Sequence, residues 1–196
     1  MSGDDQKSGS ARREPRRKGK VSEAWLERAA IHYLGRYAAT EERLRDVLSR
    51  KVRRRNEEGV PPSEEQQGWI DAVVAKCVGY GYVDDTTYAT QRTQSLLRKG
   101  KPPRTILQDL RHKGVSAETA AGVLEDAEER ADESLVLQAA AAFVKRRRFG
   151  VFRRPGKDAD DQRQKELASL MRAGFPYGIA QEVLQMEEDA LMALLP

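Results

Sequence analysis

The sequence predicts an all-α protein, an elongated array of three tandem three-helix, helix-turn-helix-like modules. Three observations carry that reading. Apolar residues recur at helical offsets with no alternating run of strand length. Glycine and proline punctuate the chain at helix stops and starts. Two stretches of the chain also align with each other without gaps: Leu110-x-x-x-Gly114-Val115 matches Leu170-x-x-x-Gly174-Phe175, and the pair Val123-Leu124 follows its glycine at the same distance as Val183-Leu184 follows the other. Repeats of this size cannot bury their helix faces alone and pack on their neighbours.

Ser22 caps a first helix whose Trp25, Leu26, Ala29, Ala30, Tyr33 and Leu34 form one apolar face, ended near Gly35. Thr40 caps a second, with Glu41 and Glu42 in its first turn, where carboxylates suit the helix dipole. Leu44, Val47, Leu48 and Val52 are its inner residues. Ser63 with Gln66 makes a capping box for a third helix bearing Trp69, Ile70, Val73, Val74 and Val78. Between Leu48 and Val73 the chain runs longer than the corresponding stretch from Leu110 to Val123, which marks an insertion near residues 53–63. Asp84 and Asp85 cap the next helix, carrying Tyr88, Ala89, Arg92, Leu96 and Leu97 and stopped by Gly100. Pro103 opens the helix of Ile106, Leu107 and Leu110, and Ser116 caps the helix of Val123 and Leu124. A third round runs from near Asp132 through Leu135, Ala139, Ala142 and Phe143 to about Gly150. It restarts after Asp158 through Leu167, Leu170 and Met171 to Gly174. Pro176 begins the last helix, with Ile179, Val183 and Leu184. The modules so bounded are 21–83, 84–131 and 132–196, preceded by a basic tail at 1–20 that has almost nothing to bury.

Composition limits the function classes. One cysteine, Cys77, leaves no internal disulfide framework, and its place among Val73 and Val74 makes it a packed thiol. No apolar run is long enough for a membrane span, and no apolar stretch follows the basic N-terminus as in a secretory signal, so the expected location is the cytoplasm. His32 and His112 belong to no metal-binding pattern, and neither a phosphate loop nor a nucleophile elbow is present. The expectation is a non-enzymatic, monomeric protein without catalytic residues, metal or cofactor.

Charge is the informative feature. The tail carries seven Lys/Arg against three acids, a surplus equal to the net +4 of the whole chain, so the body is neutral. Two readings of the tail stay open: a solubilising leader, or an arm for polyanions. Within the neutral body the cations cluster. One group spans Arg43 to Arg55. A second comprises Arg92, Arg98, Lys99, Lys101, Arg104, Arg111 and Lys113, opposed only by Asp109. A third comprises Lys145, Arg146, Arg147, Arg148, Arg153, Arg154 and Lys157. One cluster alone reads as a solvated helix face; three in comparable places point to a long anionic partner.

The stretch GYGYVDDTTYATQRTQSLLRKGKPPRTILQDLRHKGV resembles the RecX family of regulators of the bacterial recombinase RecA. The match covers Gly81-Tyr82-Val83-Asp84-Asp85, Tyr88-Ala89, Arg98-Lys99-Gly100, Ile106, Leu110 and Lys113-Gly114-Val115. Helix order and apolar spacing extend it to about residues 22–186. The resemblance implies tandem three-helix repeats, and a protein that binds RecA and lodges in the groove of the RecA–single-stranded DNA filament. Such a protein would inhibit the filament's ATPase, strand-exchange and co-protease activities in recombination, repair and the SOS response. It brings no catalytic residue and no cofactor. The matching basic positions are Arg98, Lys99, Arg104 and Lys113, with Arg92 and Tyr88 on the preceding helix; Tyr88 is favoured as a core residue. With Lys101, Arg111 and Arg146, Arg147 and Arg148 these cations make the candidate contact set, and weak direct DNA binding is a further expectation. The 53–63 insertion, the basic tail and the charged FGVFRRPGKDADD segment depart from the family pattern. A helix-turn-helix DNA-binding regulator is the alternative, although the helices after Ser116 and Pro176 begin with residues poorly suited to reading bases.

Overall fold

The computed structural model describes residues 20–56, 59–153 and 159–195, with side chains in the last segment from residue 161. The basic tail apart from Lys20, together with Arg154 and Lys157, lies outside the described residues. Those described form ten α-helices, a short 3-10 turn at Gly150–Phe152 and no strand: α1 (Glu23–Leu34), α2 (Glu41–Arg55), α3 (Glu64–Gly79), α4 (Asp85–Arg98), α5 (Pro103–His112), α6 (Ala117–Glu129), α7 (Leu135–Arg147), α8 (Ala159–Ala173), α9 (Tyr177–Val183) and α10 (Glu188–Ala193). The all-α expectation holds.

Local chemistry sets most of the boundaries. Ser22, Thr40, Ser63, Asp84 and Ser116 each accept a hydrogen bond from a backbone N–H of the first turn they cap. At Ser63 the box is reciprocal, since the Gln66 side chain takes the Ser63 N–H at 3.1 Å. Pro103 opens α5, where its missing N–H costs nothing. The added length in the first round is divided between helix and loop: α2 has 15 residues against 10 in α5, and a longer connection leads to Ser63.

Four details differ from the sequence reading. Val78 is exposed and Cys77 takes the inward position on α3, one residue earlier along the same turn. Met171 is exposed while Glu166, a charged residue, is buried beside Leu170. α7 stops at Arg147, before Gly150, with Arg148 in the left-handed region at φ 58°. Finally, α9 is not the last helix. The chain turns again into α10, where Leu191 is buried.

The buried side chains fall into two clusters. Leu26, Ala30, Leu44, Leu48, Val52, Ile70, Val73, Val74 and Cys77 close the core of α1–α3, with Trp25 and Trp69 packed at its edge. A second core runs without a break through α4 to α10, from Ala89, Leu97, Ile106 and Leu110 to Leu170, Phe175, Val183 and Leu191. Its axis is α7, buried on every side from Ala139 to Val144. Small alanines there let α4 and α9 approach closely, and Phe143 meets Phe149 and Phe175 edge to face.

The joints between successive helix triplets repeat. In one, Gly114, between α5 and α6, sits against Thr40 and Glu42 at the start of α2. In the other, Gly174, between α8 and α9, sits against Pro102 and Thr105 at the start of α5. These are the two glycines that align in the sequence, and each has positive φ, so glycine serves both the turn and the close approach. The α2 joint is polar. The Thr40 hydroxyl donates to the Lys113 carbonyl, and Asp85, read as a cap for its own helix, accepts from the Glu41 N–H of α2 at 2.9 Å. Burial pushes the Asp85 carboxyl above its ordinary range.

Candidate interaction surface

The sequence's cation clusters separate into cations used within the fold and cations left facing outward. Arg92 belongs to the first kind. Its guanidinium grips Asp109 in a two-pronged pair at 2.7 and 2.9 Å, tying α4 to α5. The pair holds the Asp109 carboxyl below the usual range and raises Arg92 above its own. Arg153 does the same for the third triplet, reaching Glu166 at 2.9 and 2.7 Å, while Glu166 also accepts from the Gly150 N–H. Glu166 is 4% exposed. It was missed in the sequence. Its one signal there is a carboxylate four residues before Leu170, on the inner face of α8.

The first cluster is also largely engaged. Arg45 is held by Glu41, Glu42 and Asp71. Arg53 donates to the Gly59 carbonyl, and Arg55 lies over the Trp25 ring at 4.5 Å. Of the uncharged candidates for chemistry, Cys77 is buried with its thiol pushed up by burial, as a packed thiol should be. Among the described residues no group of His, Cys, Asp and Glu could hold a metal ion, and no helix is long and apolar enough to cross a membrane. Tyr88 is half-buried and packs against the second core.

The outward cations are brought together by tertiary packing. Gly100, in the turn after α4, lies against the backbone of Phe143 on α7; an added Cβ would meet Phe143 N and Cα at 2.5 and 2.6 Å. That contact seats the turn carrying Arg98, Lys99 and Lys101 beside the end of α7. Arg98, Lys145 and Arg146 then line one depression, floored by Ala142 and Leu195. Arg146 and Arg147 stand 6.0 and 5.6 Å from the Phe143 ring. Arg98, Lys99, Arg146, Arg147 and Arg148 are exposed, and Lys101 is half-buried. Arg104, exposed at the start of α5, lies next along the chain from this group. Arg111 and Lys113 lie at and just past the other end of α5, about 10–14 Å from Arg104 by helix rise, against the α2 joint. The ten candidate residues fall into a ridge at the α4–α7 contact, a smaller group at the α2 joint, and Arg92, half-buried in its pair with Asp109.

Beside the ridge, α4, α6 and the start of α7 line an open pocket of about 590 Å³, which Arg98 and Leu195 also edge. The buried Thr93 hydroxyl lines it without a hydrogen-bond partner among the described residues.

Fold and surface together define a class: an all-helical protein of stacked three-helix units that presents cations along a packed seam. Comparison with known proteins narrows the class. The family model described as "RecX, second three-helix domain" matches residues 84–124, which span α4, α5 and the first part of α6. The regulatory protein RecX of Myxococcus xanthus is 41% identical over 172 residues, covering 88% of this chain and 90% of its own. That of Agrobacterium fabrum is 32% identical over 166 residues, 85% of each chain. The crystal structure of RecX from Lactobacillus salivarius superposes with a TM-score of 0.60 at 19% identity, over 83% of this chain and 94% of that one, and shares the fold. This chain belongs to the RecX family of regulatory proteins.

Proposed function

We propose that this protein regulates a RecA recombinase by binding the RecA–single-stranded DNA filament, without catalysing a reaction of its own. Membership of the RecX family supports the regulatory role. The observation that carries the mechanism is the seam at Gly100 and Phe143, which turns two cation runs, far apart in sequence, into one outward ridge. A ridge of Arg98, Lys99, Lys101, Arg104 and Arg146, Arg147 and Arg148 offers a phosphate-lined or acidic groove a row of charge-assisted hydrogen bonds. Arg111 and Lys113 would add contacts near the α2 joint. Arg92 enters only indirectly, by fixing α4 against α5. A chain of linked helix triplets laid along a groove bridges successive protomers. That opposes the subunit rearrangements that hydrolysis and growth require, so inhibition is the expected sign.

Co-sedimentation with RecA-coated single-stranded DNA and the filament's ATP hydrolysis rate test this reading. The wild-type chain should sediment with filaments and slow hydrolysis. Reversal of Arg98, Lys99 and Lys101 to Glu should weaken filament binding by roughly tenfold or more at moderate salt and flatten its salt dependence, with helicity unchanged. Unaltered hydrolysis with no co-sedimentation by the wild type would overturn it.

A further inference from the structure

The tenth helix stands outside the repeat. The third triplet is complete with α9, yet the chain turns through Gln185 and Met186 and adds α10. The inner residues here are Leu191, Leu194 and Leu195, three and four positions apart and so on one face of the helix and the turn that follows it. Leu191 is buried, and Leu194 and Leu195 pack half-buried against the second core. Among the described residues, no hydrogen bond or ion pair joins residues 187–195 to another helix, so apolar contact holds the segment. The acids Glu187, Glu188 and Asp189 at its start stay exposed.

That apolar face ends at the cation ridge. Leu195 lines the depression of Arg98, Lys145 and Arg146, beside Ala142. It also edges the open pocket between α4, α6 and α7, and Arg98 and Leu195 are the two residues that line both hollows. None of the three cations has a hydrogen bond or ion pair among the described residues; Arg146 has the Phe143 ring, at 6.0 Å. Long side chains of like charge repel one another and keep rotamer freedom that an arriving anion must freeze. An apolar wall restrains their methylene stems and leaves the charged heads in water.

We propose that α10 is a strap whose Leu195 positions Arg98 and Arg146, holding the ridge in the arrangement that takes its anionic partner. This rests on the reading of the ridge as the binding surface. Leu195 acts through the guanidinium groups and touches no partner itself. Because leucine contacts hold it, the strap opens locally while the core stays folded, so the ridge is ordered only as long as α10 is docked. The affinity of the surface is thereby set by a helix that contributes no cation to it.

The test uses the full chain, no recombinase, and inorganic polyphosphate as the anionic probe, with binding measured by calorimetry. Arg98→Ala should weaken binding and flatten its salt dependence, which shows that the probe reads the ridge. Leu195→Ala removes the wall and keeps every charge. It should weaken binding about threefold or more, with the salt slope and helicity of the wild type. Leu195→Met, of similar volume, should restore affinity, and Met192→Ala, exposed on the same helix, should change nothing. Linkage supplies a second readout: saturating polyphosphate should slow amide exchange in α10 of the wild type by a similar factor, although that helix carries no cation to bind it. Wild-type affinity in Leu195→Ala beside a weakened Arg98→Ala overturns the strap and leaves the ridge reading intact; wild-type affinity in both overturns both. Exchange in α10 indifferent to polyphosphate also overturns the strap, as does a loss in Leu195→Ala that Leu195→Met fails to restore. Absence of filament binding by the wild type would count against the RecA reading and not against the strap.

Discussion

Arg92 and Arg153 stand in cation runs like any other members of them, yet each turns inward to a carboxylate. The difference lies in what faces them. Asp109 and Glu166 sit on neighbouring helices at the depth of the guanidinium, and burial makes the pairing consequential. Glu166→Gln should cost about 2–3 kcal/mol, because it removes the buried carboxylate that accepts from both the Arg153 guanidinium and the Gly150 N–H. Denaturant midpoints measure this, and a wild-type midpoint would deny Glu166 its role. Asp109→Ala should cost less, about 1–2 kcal/mol, since that pair is more open to solvent. The sign of its pH dependence follows from the lowered Asp109 pKa. The folded value lies below the unfolded one, so the stabilisation is complete above the ordinary carboxylate range near 4 and is lost as pH falls through the folded value. Acid titration of wild type against Asp109→Ala should therefore converge in stability at low pH. Asp85 has the opposite sign, its carboxyl being raised by burial: ionisation works against the fold as pH rises through its folded value. Asp85→Asn, which keeps an acceptor for the Glu41 N–H, should be tolerated.

At the scale of elements, turns matter more than helices. Gly100 and Gly114 have φ of 65° and 86°, and in each case an added Cβ would collide with the neighbouring helix. At Gly114 the obstruction is Glu42 Cβ, and at Gly100 it is Phe143 N and Cα; all are fixed to a helix backbone, so neither clash is relieved without shifting α2 or α7. Gly100→Ala and Gly114→Ala should each cost about 2–4 kcal/mol, and only Gly100→Ala should weaken filament binding, by parting the two halves of the cation ridge. Thermal unfolding and co-sedimentation of the two variants together check this. The first helix stops, the caps and the α5 start were legible because each depends on residues within four positions. α10 was not. It is six residues long without a side-chain cap, and Leu191 needs the second core to make it worth folding.

The whole molecule has two hydrophobic cores but a continuous chain of helix triplets. Between α1–α3 and the rest the joint is polar, made by Thr40, Asp85 and Gly114, whereas α4 and α7 share one core. Cooperativity follows buried apolar contact, so unfolding should occur in two steps. Both tryptophans, Trp25 and Trp69, lie in the first core, so their emission reports that unit alone, while far-UV circular dichroism reports both. Leu48→Ala, a truncation in that core costing about 2–5 kcal/mol, should move the tryptophan transition to lower denaturant and leave the later ellipticity change in place. Coincident transitions by both probes would instead mean that the polar joint couples the cores as strongly as packing would.

The sequence by itself determined the helices from α1 to α9, most of their caps, the repeat that places Gly114 and Gly174 at like positions, and the family. These depend on short-range periodicity and on residues that act on their own backbone. Tertiary structure alone decided which cations face outward. A guanidinium's partner is set by the helix packed beside it, so Arg92 and Arg153 became internal ties while Arg98 and Arg146, 48 residues apart, came to edge one depression. It also decided that the second and third triplets share a core and the first does not, because Gly100 admits the α7 backbone where the α2 joint admits only side chains and hydrogen bonds.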